Sequence, residues 1–135
     1  MTPLGERMRA LRRQRGVSQR AMAEALGVSA AYLSALEHGY RGKPSWALVQ
    51  KIIGYFNVIW DEADELQRLA GVSDPRIVVD TAGLSPQATA LANRFAERIR
   101  VLDEHDLQQI SEIVDRAVNR VPEARRASRV RRSGR

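Results

Sequence analysis

The chain has 135 residues, a net charge of +6 and no cysteine. The absence of cysteine excludes disulfide bonds and cysteine-zinc sites. No apolar run approaches the ~20 residues that a membrane-spanning helix needs, and the first fifteen residues lack the apolar core of a secretory signal. We therefore expect a cytoplasmic protein with no membrane partner.

The charge is distributed unevenly along the chain. Residues 1–44 carry eight Lys and Arg against three Asp and Glu, residues 45–121 carry eight against twelve, and residues 122–135 carry six against one. The two ends are therefore basic and the middle is acidic. A basic surface attracts phosphate groups, although it can equally serve solubility alone.

The first helix is predicted from a short apolar repeat. Pro3 can open it, because the N–H that proline lacks would have no partner in the first turn of a helix. Leu4, Met8 and Leu11 recur at four- and three-residue steps and should face a core. Gly16 follows as the C-terminal stop.

Two further helices are predicted on either side of a glycine turn. Ser18 is a suitable N-cap for a helix at Gln19–Leu26, and Ser29 is one for a helix at Ala30–His38. Gly27 lies between them, where a side chain would be strained. Two short helices joined in this way are typical of the helix-turn-helix motif, whose second helix enters the major groove of DNA.

Two more helices complete the predicted first domain. Ser45 caps the fourth helix, and the apolar side of this helix consists of Leu48, Val49, Ile52, Ile53 and Phe56. Asp61 caps the fifth, because acidic residues suit the positive N-terminal end of the helix dipole. Gly71 ends this helix, so we place the domain at residues 1–71.

Residues 4–70 resemble the phage-repressor (Cro-type, XRE) helix-turn-helix family. Spacing and residue type agree together at Leu11, Arg12, Gly16, Ser18, Gln19, Met22, Ala23, Leu26, Gly27, Val28, Ser29, Leu33, Leu36, Glu37, Gly39, Pro44 and Ser45. The resemblance implies an all-α fold with a five-helix, lambda-repressor-like DNA-binding domain. It also implies a sequence-specific transcriptional regulator, expected to be a repressor, that binds a palindromic operator as a homodimer through its third helix.

The resemblance assigns contacts with the DNA backbone to several polar residues. Gln19, the first residue of the second helix, matches a glutamine that binds phosphate and braces the recognition helix. Arg12 and Glu37 match a buried ion pair, in which the arginine can also face phosphate. Three more positions match backbone-contacting residues of the family: His38, Arg41 and Lys43. An uninvolved surface histidine is the alternative for the first of these.

Base recognition is where the chain departs from the family. The three main base-contacting positions correspond to Ala30, Ala31 and Ala35. Alanine cannot form the bidentate hydrogen bonds that arginine or glutamine make with purines, but it can contact the methyl group of thymine. We therefore expect recognition to depend on such contacts, on DNA shape and on three neighbouring side chains, Ser29, Tyr32 and Ser34.

The region after residue 71 contains a β-prone run and two helices. Residues 76–80 (RIVVD) need a partner, which is either the domain core or the same run in a second subunit. Ser85 and Asp103 start the two helices, which carry apolar stripes at near-heptad spacing. We predict a helical hairpin in the interaction region, residues 72–121, with packing onto the first domain as the alternative to dimerisation. The predicted dimer interface consists of Leu91, Phe95, Ile99, Leu107, Ile110, Val114 and Ala117.

The C-terminal tail and two other binding functions stay open. Residues 122–135 are rich in arginine and poor in apolar side chains, which predicts a disordered basic tail that either contacts DNA or is merely solvated. An antitoxin-type protein would use residues 72–121 to cover a partner protein. An architectural DNA-binding protein would bind without sequence preference, and only the arginine tail favours it.

The chain offers no convincing catalytic or metal-ligating cluster. Its two histidines, His38 and His105, are far apart in sequence. Glu104, His105 and Asp106 are adjacent on a predicted helix, so their side chains point in different directions. We predict no enzymatic activity, metal or cofactor. Double-stranded DNA is the expected partner, which places the protein at the bacterial nucleoid.

Overall fold

The computed structural model describes residues 1–123 and 125, and every regular element in this part of the chain is helical. The predicted all-α fold is confirmed. Residue 124 and residues 126–135, which hold most of the predicted basic tail, lie outside the described residues. The elements are α1 (Pro3–Arg15), α2 (Gln19–Leu26), α3 (Ala30–His38), α4 (Trp46–Phe56), α5 (Asp61–Gly71), α6 (Pro86–Arg98), a 3-10 turn (Ile99–Val101) and α7 (Glu104–Asn119). Among these helices, none has the length and apolar character needed to span a bilayer.

The chain divides into two compact units, Met1–Ile77 and the residues from Val78 onward. The first unit extends beyond the boundary predicted at residue 71. Ser73 explains the difference, because its side chain is buried and accepts a 2.9 Å hydrogen bond from the backbone N–H of Leu4. The segment after α5 is therefore tied to the start of α1.

The helix boundaries in the first unit follow from local capping chemistry. Side-chain oxygens accept hydrogen bonds from first-turn N–H groups at the predicted caps of α2, α3 and α4 and at one further cap, of α1: Ser18, Ser29, Ser45 and Thr2. Gly16, Gly27 and Gly39 adopt left-handed backbone conformations and end α1, α2 and α3. The predicted bounds of α2 and α3 are confirmed.

The predicted cap of α5 is wrong. Asp61 is the first helical residue, and the cap position is held by Trp60, which makes no side-chain capping bond. Trp60 has a positive φ of 55°, and Asn57 at the end of α4 has one of 52°. The chain thus reverses through two non-glycine residues with positive φ, of which Asn57 is left-handed helical, and Asp61 lies inside the first turn of the helix.

The hydrophobic core is built by the five helices of the first unit and by Val58 from the turn between α4 and α5. Its buried residues are Leu4, Met8, Leu11, Met22, Ala23, Leu26, Leu33, Leu36, Val49, Ile52, Phe56, Val58, Leu66 and Ala70. At Gly5, α1 comes so close to α3 that an added Cβ would lie 2.2 Å from the carbonyl oxygen of Glu37. The core therefore fixes α3 firmly against α1.

The second unit contains the two predicted helices but no buried side chain within them. Ser85 caps α6, and Asp103 forms a capping box with Asp106 at the start of α7. Neither α6 nor α7 has a buried residue. The run at residues 76–80 forms no strand, and its apolar side chains are exposed rather than packed in a core.

Candidate nucleic-acid interface

The helix-turn-helix motif consists of α2, the turn at Gly27 and α3. Gly27 has a φ of 74°, a conformation that glycine adopts without strain. The next residue, Val28, packs against the core. At the start of α3, Ala30 and Ala31 are exposed, whereas Tyr32 is half-buried. The first turn of α3 therefore exposes the methyl groups of Ala30 and Ala31.

A hydrogen-bonded cluster ties α1, α2 and α3 together. Arg12 donates from Nε to Oε1 of Glu37 and from Nη2 to Oε2, both at 3.0 Å. Gln19 donates from Nε2 to the same Oε2 at 3.0 Å. The side chain of Glu37 is only 1% exposed and that of Arg12 is 12% exposed. The predicted ion pair is confirmed, and it joins the first residue of α2 to α3.

The orientation of the Gln19 amide follows from its partner. A carboxylate can only accept hydrogen bonds, so Gln19 must turn its NH₂ group toward Glu37. One N–H of that group is then used within the protein, and the second is left to donate elsewhere. Gln19 also begins α2, where unpaired backbone N–H groups favour an anion.

A second set of contacts joins α3 to the loop that follows it. The guanidinium carbon of Arg41 lies 5.8 Å from the ring centre of Tyr32, a distance at which a cation is attracted to the face of an aromatic ring. The rings of His38 and Tyr40 stack with their centres 6.4 Å apart. The contact with Tyr32 places the exposed guanidinium of Arg41 beside α3.

His38 has one of its two ring nitrogens engaged. Its Nδ1 lies 2.8 Å from the carbonyl oxygen of Ser34, one helical turn earlier. Because a carbonyl oxygen only accepts, Nδ1 carries a hydrogen and donates it. The other nitrogen, Nε2, is therefore the one that can meet a ligand.

The remaining predicted contact residues divide by exposure. Ser34 and Ala35 are half-buried on α3, whereas Ser29, Arg41 and Lys43 are exposed. The structure thus brings Arg12, Gln19 and Glu37 into one cluster and Tyr32 and Arg41 into another. The contact between Tyr32 and Arg41 was not predicted, because nothing in the sequence says how the loop after Gly39 folds back.

The predicted dimer-interface residues are incompletely covered in the single chain. Leu91, Ile99, Leu107 and Val114 are exposed, and the other three are half-buried: Phe95, Ile110 and Ala117. No residue of this set is buried. Exposed apolar side chains grouped in this way are typical of an interaction surface.

Comparisons with known proteins agree with the motif. A family profile described as a helix-turn-helix domain matches residues 3–69. The chain is 34% identical over 61 residues to an uncharacterized HTH-type transcriptional regulator of Bacillus subtilis (strain 168), RghRB, covering 45% of this chain and 44% of that protein. It is 40% identical over 58 residues to another, YazB of the same strain, covering 43% of this chain and 83% of that protein.

The similarity to a solved structure is much weaker. A chain of the SinR protein/SinI protein complex covers 73% of this chain, and 99% of its own length is matched, with 22% sequence identity and a TM-score of 0.38. Similarity at this level bears on neither the fold nor the partners of this chain. The comparison therefore rests on the sequence relatives and on the family profile, which lies within the first unit.

Proposed function

Because the chain belongs to the family of helix-turn-helix transcriptional regulators, we propose that it is a sequence-specific DNA-binding repressor. It binds double-stranded DNA with α3 in the major groove and grips a palindromic operator as a homodimer. The observation that carries this proposal is the cluster of Arg12, Gln19 and Glu37. This cluster fixes the start of α2 relative to α3, while Ala30 and Ala31 remain exposed.

Contacts with phosphate come from three places around α3. The free N–H of Gln19 and the N-terminal end of α2 bind one phosphate. Arg41 and Lys43, both exposed in the loop after α3, bind phosphates on the same side. Arg12 is held by Glu37 and its side chain is only 12% exposed, so it contributes to phosphate binding from a fixed position rather than as a freely mobile cation. These contacts set position and affinity but carry no sequence information.

Base recognition uses a small set of groups on the first turns of α3. The methyl groups of Ala30 and Ala31 contact thymine methyl groups. The hydroxyl of Ser29 accepts a hydrogen bond from the backbone N–H of Tyr32, so its own hydrogen remains available to a base or phosphate. Each half-site therefore supplies modest discrimination, and the remaining specificity comes from DNA shape.

Dimerisation is supported by the uncovered apolar stripes of α6 and α7, which bury no residue in one copy. Two copies bound to one operator would place their recognition helices roughly 34–36 Å apart, or one turn of the duplex. The same uncovered stripes favour a second candidate function, in which residues 72–121 bind a different protein. The two candidates differ in whether the purified chain forms a dimer by itself.

Selection of bound duplexes from a random pool tests the proposal. We expect an enriched palindrome with half-sites one helical turn apart. Gln19→Ala and Arg41→Ala should weaken binding to the selected and to a scrambled duplex alike, whereas Ser34→Ala should alter the preferred sequence. Arg68→Ala, which removes a cation from α5, is the matched control and should bind normally. Failure to enrich any sequence would refute specific binding, and a solitary half-site bound by a monomer would refute the dimer.

A further inference from the structure

The apolar seam of α7 is incompletely covered, because Leu107 and Val114 are exposed and Ile110 and Ala117 are only half-buried. Leu107, Ile110, Val114 and Ala117 recur at three- and four-residue steps, and the exposed fractions of Ile113 and Val114 are 56% and 54%. α7 has no buried residue. A repeat of this spacing forms a narrow strip that packs well against another helix carrying the same strip.

The two edges of this strip differ in charge. Asp106, Ile113 and Arg120 follow one another at seven-residue intervals along one edge. An acidic group therefore begins this edge, an apolar group lies in its middle, and a basic group ends it. Ser111 and Val118 lie on the other edge, which carries no comparable pair of charges.

This order of charges distinguishes the two ways in which a second copy of α7 can pair. In an antiparallel pair the same edge of both helices meets, so Asp106 faces Arg120 of the second copy at each end and Ile113 faces its own counterpart. In a parallel pair Asp106 faces Ser111 of the second copy, and no opposite charges meet. Charge complementarity selects the antiparallel arrangement.

We propose that α7 is the self-complementary element of the homodimer and pairs with a second copy of itself in antiparallel orientation. Two Asp106–Arg120 ion pairs then close the two ends of one apolar seam. One carboxylate oxygen of Asp106 accepts a hydrogen bond from the backbone N–H of Asp103, which leaves the other oxygen for the arginine. Arg120 is exposed and forms no ion pair among the described residues. The inference rests on the homodimer of the proposed function.

Cysteine cross-linking tests the orientation cleanly, because the chain has no cysteine of its own. In the antiparallel seam Leu107 faces Ala117 of the second copy. The two Leu107 positions are then ~15 Å apart along the axis, since an α-helix rises 1.5 Å per residue, whereas a disulfide needs Cα atoms within ~7 Å. An oxidised mixture of full-length Leu107→Cys and Ala117→Cys should therefore form cross-linked heterodimers, and neither variant alone should do so. Cross-linking of Leu107→Cys with itself would overturn the proposal.

Charge reversal tests the two ion pairs in the same full-length chain. Arg120→Asp should raise the dimer dissociation constant about tenfold, because like charges then meet at both ends of the seam. Asp106→Arg should raise it at least as much, because it also removes the acceptor of the capping bond from Asp103. An equimolar mixture of the two variants should bind more tightly than either variant alone, as should the double swap in one chain. Asp115→Arg, which makes the same charge change off the seam, should leave the dimer unaffected. Sedimentation equilibrium measures the constants, and circular dichroism confirms that each variant is helical.

The outcomes separate the inference from the function on which it rests. A wild-type chain that dimerises and binds its operator, but whose charge-reversed variants do not recover on mixing, would overturn the antiparallel seam alone. A wild-type chain that stays monomeric and yet binds DNA would overturn the homodimer as well. Recovery on mixing, together with heterodimer cross-linking, would support the arrangement.

Discussion

Replacing Arg12 by methionine tests the buried ion pair that joins α1 to α3. Methionine has a similar length and no charge, so the apolar part of the side chain remains. Glu37 then loses two of its three side-chain hydrogen bonds and keeps only the one from Gln19. Its carboxylate is left in the interior with no opposite charge, because its side chain is 1% exposed.

The cost follows from this burial. Removing one partner of a buried ion pair typically costs ~3–5 kcal/mol, because the other charge is left uncompensated. The remaining bond from Gln19 places Arg12→Met at the lower end, at about 3 kcal/mol. In a domain of 60–100 residues each kcal/mol lowers the unfolding midpoint by ~4–8 °C. The midpoint should therefore fall by roughly 12–24 °C.

Thermal unfolding followed by far-UV circular dichroism measures this loss. Arg68→Met is the matched control, because the ion pair of Arg68 with Glu65 is exposed and such pairs contribute little. Combining Arg12→Met with Glu37→Gln removes the buried charge and should regain part of the lost stability. Equal midpoints for Arg12→Met and Arg68→Met would show that the reasoning about burial is wrong.

Three further predictions concern other contacts of the first unit. Gly5→Ala should destabilise the protein by ~1–3 kcal/mol in urea unfolding, because the new Cβ would meet a carbonyl oxygen of α3. The contact of Tyr32 with Arg41 favours a supporting role for its ring over the base contact expected from the sequence. Tyr32→Ala should therefore weaken binding to selected and scrambled duplexes equally and add nothing to Arg41→Ala, whereas Tyr32→Phe keeps the ring that supports the cation and should bind normally. The pKa of Glu65 lies below its ordinary value because Arg68 donates hydrogen bonds to it, so its small contribution to stability is present above its unfolded pKa and is lost as the pH falls through the folded one. NMR titration should show this pKa rise in Arg68→Met.

The parts of the fold that local chemistry decides were predictable from the sequence. The bounds of α2 and α3 agree with prediction, because a capping serine begins each helix and a left-handed glycine ends it. The pair of Arg12 and Glu37 was also predicted, although from the family resemblance rather than from spacing. Residue type and short spacing thus predict the helix-turn-helix motif, whereas the ion pair that braces it follows from the family resemblance.

The parts that failed depend on contacts between distant residues. Trp60 takes a positive φ that no preference of tryptophan predicts, because the reversal between α4 and α5 imposes it. Ser73 is buried by a bond to Leu4, which lies 69 positions earlier. The contact of Tyr32 with Arg41 arises from the path of a loop. Each of these three features depends on contacts that form only in the folded unit.

The weakness of base recognition and the openness of α7 are connected. A good bidentate hydrogen-bond pair supplies ~1–3 kcal/mol of discrimination per base, and the alanines at positions 30 and 31 supply none of that kind. In the proposed complex a single copy would therefore distinguish its half-site poorly, and two copies held together would add their discrimination. The proposed seam of α7 would supply the contact that holds those copies together. Specificity then resides as much in the geometry of the pair as in the side chains that touch the bases.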